Sequence, residues 1–441
     1  MSVPVGAPAA SASTPPGLVR AIGRWDLTAA VVNGMIGSGI FGMPAALAAL
    51  TGAASPLACL LAGAGAATIV LCFAEVASRF REAGGPYLYA REAFGPFVGF
   101  QAGWLTFWIR VTALAANLNV FVDYLAVLVP AAGAGVLRAA VMAALMALLT
   151  AINVIGVREA TWTVNLFTVA KLAPLVLLAV LGLARLSPEV LATQAPPAMD
   201  WTQALLLLLF AYGGFEAPLI PAGEARDPRR DSAFALIMAL GAVAVVYTLV
   251  QLAIVGVVPH VAGEKAAVAA AFSVLLGPGG VVLASLAAMT SVYGYATGNV
   301  LQSPRVLYAI ADRGELPAVF AGVHPRFRTP HVAIATYSAL SLGFAVSGTF
   351  AAMATLSAVV RLITYGLTCA ALPVLRRRGG AAPYRLPGAV IVCPLGVGFC
   401  LWLLRTRSFG QAGTLAGLVL VGGALWALAR ARARAAAAPA V

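Results

Sequence analysis

An all-α membrane protein of twelve transmembrane helices is the fold class this sequence predicts, on three observations. Of its 441 residues 61% are hydrophobic and only 10% charged, with a mean hydropathy of +0.95, whereas a soluble domain carries about a quarter charged residues. Apolar stretches of about 20 residues or more recur along the chain, the length at which a helix crosses a bilayer. The basic residues, finally, are distributed unevenly between the loops that join those stretches.

The apolar stretches place spans at 27–50, 54–77, 97–129, 138–156, 160–184, 201–222, 233–258, 267–300, 331–348, 352–373, 387–404 and 411–429. With the N-terminus inside, 20 of the 28 lysines and arginines fall in cytoplasmic segments and five outside; Arg110, Lys171 and Arg361 fall within spans. This bias puts both termini in the cytoplasm of a multi-pass protein of the cell (plasma or inner) membrane. Arg405 and Arg407 run against it, on the loop between the last two spans. The formal charge of +13 then reflects the positive-inside rule and attraction to anionic membrane lipids, and calls for no nucleic acid partner.

Residues 1–19 read as a disordered cytoplasmic tail, Ala/Pro/Ser-rich and without the basic start and apolar core of a signal peptide. Span one contains "NGMIGSGIFGMP" (33–44), four glycines and a proline in twelve residues, which weakens any helix. After span two, "RFREAGGPYLYAREAFGPF" (79–97) mixes charge, aromatics and glycine and reads as a cytoplasmic segment with a short interfacial helix. Span six repeats the pattern of span one in "FAYGGFEAPLIPAGE", where Gly213 and Gly214 precede Pro218 and Pro221. The loop "SPRVLYAIADRGELPAVFAGVHPRFRTP" between spans eight and nine resembles the one after span two. The five cysteines all lie in apolar segments with no metal-ligand spacing, so they read as small buried apolar residues.

Two interruptions five spans apart point to an inverted repeat with a site at the bilayer midplane. The repeats would be 20–190 (spans one to five) and 200–374 (spans six to ten), followed by accessory spans in 385–430 and a cytoplasmic tail, 431–441. Unwound backbone leaves N–H and C=O groups that lipid cannot satisfy, so it must line a polar cavity or hold a ligand. In span one the N–H groups of Gly37, Ser38 and Gly39, flanked by Ile36 and Ile40, would open a half-helix whose positive end suits a carboxylate. In span six the carbonyls of Phe210, Ala211 and Gly213 would close a half-helix and suit an ammonium group. The pair describes an α-amino acid. The competing reading is that the glycines only let helices pack closely, as Gly34-xxx-Ser38 could.

"NGMIGSGIFGMP", "FAEVASRFREAGGPYLYAREAFG", "FAYGGFEAPLIPAGEARDPRRD" and "QSPRVLYAIADRGELP" together resemble the amino acid–polyamine–organocation (APC) transporters over residues 20–380. The resemblance implies a LeuT-like fold, a five-plus-five inverted repeat with two further helices, and substrate bound at the two unwound segments. It also implies that Lys171, in "TVAKLAPL", stands where sodium-coupled relatives hold a cation, so that its ammonium holds carbonyls near Asn33 and Gly34 and releases them on deprotonation. Glu216 matches an acidic position that takes part in substrate or proton handling in some relatives.

Each intramembrane charge needs a reason, since one costs about 2.5–3.5 kcal/mol at mid-membrane. Lys171 could instead be a static cap on carbonyls, and Glu216 a static acceptor for loose N–H groups. Arg110 and Arg361 read as scaffolding, paired with carboxylates or carbonyls within the bundle. Phe41, Tyr212 and Phe215 are candidates for the side-chain pocket and gate, along with Phe210. The expected function is secondary active transport of neutral amino acids by proton-coupled symport, powered by the proton gradient with no cofactor, metal or sodium site. The alternative is exchange (antiport) of amino acids or polyamines with cationic substrates, which a charged Glu216 would favour. A membrane-embedded enzyme is disfavoured: there is no HExxH, no Walker loop and no pair of neighbouring intramembrane acids.

Overall fold

The computed structural model of the chain describes residues 23–80, 84–156, 161–194, 198–219, 227–379, 382–406 and 408–437. The expected tail at 1–19, Pro221 of the second interruption, Arg407 and residues 438–441 lie outside them. All regular structure among the described residues is helical, as a bilayer demands of any open segment that must satisfy its own backbone.

Span one is three pieces, α1 (Arg24–Met35), α2 (Gly39–Gly42) and α3 (Pro44–Thr51), and α4 (Ser55–Arg79) follows. The interfacial helix α5 (Gly85–Phe94) precedes α6 (Pro96–Leu128), α7 (Gly135–Ile155), α8 (Thr161–Ala184) and the short α9 (Pro188–Ala192). The second half of the chain runs α10 (Trp201–Tyr212), α11 (Pro228–Val257), α12 (Ala267–Leu276), α13 (Pro278–Asp312), α14 (His331–Ser347) and α15 (Phe350–Arg377). Helices α16 (Ala389–Arg405) and α17 (Phe409–Ala437) complete the described chain.

Local chemistry sets these ends. Proline opens α3, α5, α6, α11 and α13, where its missing N–H costs no helical bond. Asp200 caps α10 by accepting from the Gln203 N–H at 2.9 Å, and Thr349 caps α15 by accepting from Ala352 N–H at 3.3 Å. Gly156 ends α7 in the left-handed region.

Among the described residues, eight helical stretches are long and apolar enough to cross a membrane. The expected spans one, six, nine and eleven are carried by shorter helices: one and six because they are interrupted, nine and eleven because α14 and α16 have 17 residues each. The expected continuous span at 267–300 is corrected to two helices. Pro278 cannot continue α12, and Gly277 turns the chain at φ +66.

The centre of the bundle is α6, buried at almost every position from Gly99 to Val120, packed on α13 and α15. Helix α1 lies against α8 and α11, and α10 against α4 and α15. Helices α7 and α17 lie outside, showing Val136, Leu148, Phe409 and Leu420 to a surroundings that lipid suits.

Two polar clusters tie helix ends together. Glu75, fully buried on α4, accepts from Arg79 at 2.7 Å, from Arg376 Nε at 2.9 Å and from the Leu386 N–H at 2.8 Å. On α5, Arg91 donates to the Tyr87 hydroxyl at 2.7 Å and to Glu315 at 2.9 Å, joining the two loops that look alike in sequence. Burial and the neighbouring Glu315 carboxylate raise the Tyr87 hydroxyl above its ordinary range, so it stays a neutral partner in this link.

Candidate functional site

The break in span one begins where Ile36, at φ −82 and ψ 84, leaves the helical region. The Gly37 N–H turns back to the Met35 carbonyl at 3.0 Å, a three-residue inverse γ-turn centred on Ile36. The Ser38 N–H donates to Asn117 Oδ1 on α6 at 2.9 Å, and α2 starts at Gly39. The carbonyls freed by the turn are met by side chains from three neighbouring helices. Lys171 Nζ on α8 donates to the Ile36 carbonyl at 2.7 Å and to that of Asn33 at 3.3 Å. Ser291 Oγ on α13 lies 3.3 Å from the Gly37 carbonyl and 3.5 Å from that of Ile36. The Tyr247 hydroxyl on α11 lies 3.1 Å from the Met35 carbonyl.

The break in span six follows Tyr212, with Gly213 extended and Gly214 at φ +100, a conformation that favours glycine. A Cβ on Gly214 would also overlap the Gly34 carbonyl, so the two breaks touch backbone to backbone. Glu216, 2% exposed, folds back so that Oε2 accepts from the Gly214 N–H at 2.9 Å and from the Tyr365 hydroxyl at 2.8 Å. Its Oε1 faces two arginines, Arg110 Nη2 on α6 at 3.4 Å and Arg361 Nε on α15 at 3.8 Å. Arg361 Nη1 donates to the Phe210 carbonyl at 3.2 Å, with its guanidinium 5.5 Å from the Phe210 ring centre. Tyr247 joins the two breaks, its hydroxyl also lying 3.1 Å from the Ala211 carbonyl.

Between the breaks lies a narrow cavity of about 10 Å³, room for about one water, lined by Gly34, Met35, Gly37, Ser38, Gly39, Asn117, Phe210, Ala211, Gly213, Tyr295 and Arg361. Six of the predicted substrate-binding residues therefore line one space: Gly37, Ser38, Gly39, Phe210, Ala211 and Gly213. Ile36 contributes its carbonyl to Lys171 instead, and Ile40 faces a neighbouring cavity of about 10 Å³ with Met43, Leu208 and Gln251. Glu216 sits behind Arg361 and not in the lining.

The atoms offered to a ligand differ from those the sequence suggests. The Gly37 and Ser38 N–H groups are used by the turn and by Asn117. What remains for a carboxylate is the start of α2, whose first N–H groups have no acceptor within the helix, and Ser38 Oγ, which is buried without a hydrogen-bond partner. On the other side Arg361 and the Gly213 N–H occupy the Phe210 carbonyl, and the one Tyr247 hydroxyl proton is shared between the Ala211 and Met35 carbonyls. The Gly213 carbonyl is the member of that set with no hydrogen bond among the described residues.

The three gate candidates point elsewhere. Phe41 packs edge-on against Tyr124, Phe215 sits between Phe73 and Tyr365, and Tyr212 donates to the Cys59 carbonyl at 2.9 Å. Which face of a helix an aromatic takes depends on its rotation, which spacing near a break leaves open. Sequence reasoning passed over Asn117 and Tyr295, and placed Arg361 in the scaffold when it lines the cavity. The signal for Arg361 was present, since an arginine within a span is a functional candidate by default. Among the described residues no three His, Cys, Asp or Glu side chains group as metal ligands.

The amino acid permease family matches the chain over residues 22–419. The chain is 30% identical over 383 residues to the serine/threonine exchanger SteT of Bacillus subtilis (strain 168), covering 84% of this chain and 87% of that one. It is 26% identical over 408 residues to the methylthioribose transporter of the same organism, covering 88% of each chain. An uncharacterized transporter of Mycobacterium bovis is 32% identical over 328 residues, 72% of this chain and 71% of its own length.

Proposed function

The chain belongs to the amino acid permease family, and from that premise we propose a secondary active amino acid transporter that couples uptake to protons through Lys171. It is a multi-span membrane transporter rather than an enzyme, as its relatives are. The α-carboxylate of the substrate meets the start of α2 and Ser38 Oγ, and its ammonium meets the Gly213 carbonyl. Both termini lie in the cytoplasm on the strength of the arginine bias. The halves of spans one and six tilt about their breaks, in the inverted-repeat manner of alternating access.

The observation that carries the coupling is the position of Lys171 Nζ on the Ile36 and Asn33 carbonyls. A protonated amine holds those carbonyls as a bound cation would; once deprotonated it holds them far less, and the break is free to rearrange. A lysine can make that change where an arginine cannot. The test is uptake of labelled amino acids into sodium-free proteoliposomes with and without an inward proton gradient. Gradient-driven uptake that Lys171→Ala abolishes is the expected result; proton coupling unaltered in that variant removes Lys171 from the mechanism.

Exchange is the second reading, favoured by similarity to a serine/threonine exchanger. Uptake only into vesicles preloaded with amino acid would establish it, with Lys171 as a fixed prop. Cationic substrates would need a charged Glu216 facing the site. That basis is lost where Glu216 lies between Arg110 and Arg361.

A further inference from the structure

We propose that Arg361, backed by Arg110, selects substrates with an anionic side chain, so that the cavity takes small acidic amino acids in preference to neutral or cationic ones. The proposal rests on reading the cavity between the breaks as the amino acid site, and it replaces the neutral side chain expected from sequence.

Around the two breaks stand two buried arginines, Arg110 and Arg361, joined by Lys171 whenever it is protonated, and one carboxylate, Glu216. A zwitterionic amino acid brings no net charge to this imbalance, and a cationic one enlarges it. An acidic one reduces it, and buried charge without compensation is what low-dielectric surroundings penalise most.

The pairing geometry says which cation is free to act. Glu216 Oε2 is committed to Gly214 and Tyr365, while its Oε1 makes contacts of 3.4 and 3.8 Å to the two arginines without a hydrogen bond. The facing atoms Arg110 Nη2 and Arg361 Nε are likewise buried without a hydrogen-bond partner. Arg361 is 1% exposed and lines the cavity, and its hydrogen-bond partners are neutral, the Phe210 carbonyl and the Tyr295 hydroxyl. A guanidinium presents five N–H donors in a planar fork that matches a carboxylate. Arg110 lies nearer Glu216 and keeps it, leaving Arg361 to a carboxylate delivered into the cavity. The α-carboxylate and ammonium receptors line the same cavity as Arg361, so both ends of an acidic amino acid find a partner.

The test uses the full chain in sodium-free proteoliposomes, with labelled L-aspartate, L-glutamate, L-serine, L-alanine and L-arginine, driven by a proton gradient or by preloading. We expect the acidic pair to be favoured over serine and alanine by ~10- to 100-fold, the range that hydrogen bonds to a charged group supply. Arg361→Gln should bring that ratio close to one, and Arg361→Lys should restore part of it; if Arg361→Gln fails to fold, the wild-type ratio and the lysine variant carry the test. Preference for serine, alanine or arginine in the wild type, or an aspartate-to-serine ratio that Arg361→Lys leaves unmoved, overturns the proposal and leaves the transporter reading standing. Transport of none of the five by folded protein overturns the amino acid reading, and the proposal with it.

Discussion

At the break in span one, loose carbonyls rest on an ammonium and two hydroxyls, those of Lys171, Ser291 and Tyr247. At the break in span six, one carbonyl rests on a guanidinium and one N–H on a carboxylate, and that carboxylate is itself held between two guanidinium groups. The first set contains a group that can give up its proton, whereas arginine keeps its charge under any physiological condition. The comparison separates two tasks. Span one is held by a charge that can be switched off, which suits coupling; span six is held by charges that persist, which suits recognition.

Glu216→Gln breaks this comparison most severely, leaving Arg110 and Arg361 buried side by side without a counter-charge. Removing one partner of a buried ionic group costs about 3–5 kcal/mol, so the variant should show a large drop in folded yield and melting temperature in detergent. Lys171→Ala comes next. It exposes the Ile36 and Asn33 carbonyls at about 1–3 kcal/mol for buried acceptors left bare, and uptake should lose its response to pH while substrate binding survives. Gly214→Ala tests the geometry beneath both breaks, since φ +100 and the Gly34 carbonyl both oppose a side chain there. A strain of about 1–3 kcal/mol should appear as slowed transport, measured as initial uptake rate. Ser291→Ala sharpens the comparison most gently. Its contacts of 3.3 and 3.5 Å are long, so a loss of about 0.5–1.5 kcal/mol is the ceiling, with pH-dependent uptake retained because Lys171 remains.

Both breaks were legible in the sequence, because clustered glycine and proline within an apolar stretch have few other uses. So was Lys171, as an isolated charge on a long apolar helix. The binding atoms were not. Whether a freed N–H is spent on an inverse γ-turn or on Asn117 is decided by the fold of Met35–Ser38 and by the face α6 presents. Nor could the sequence bring Arg110, Glu216 and Arg361 together, since they come from two helices and the unwound segment after Tyr212, far apart in the chain, and packing alone creates the cluster. The split at Gly277–Pro278 was written in the residues, but the apolar pattern on either side hid it.

Where Gly34 meets Gly214, two main chains touch with no side chain between them. Side chains absorb displacement by changing rotamer, as padding does; bare backbone has no such slack. A shift at one interruption therefore meets the main chain of the other directly, with no side chain between them to take it up. In the transport cycle proposed above, a proton leaving Lys171 would be felt at Gly214 and Glu216 whether or not the cargo bridges the two sides.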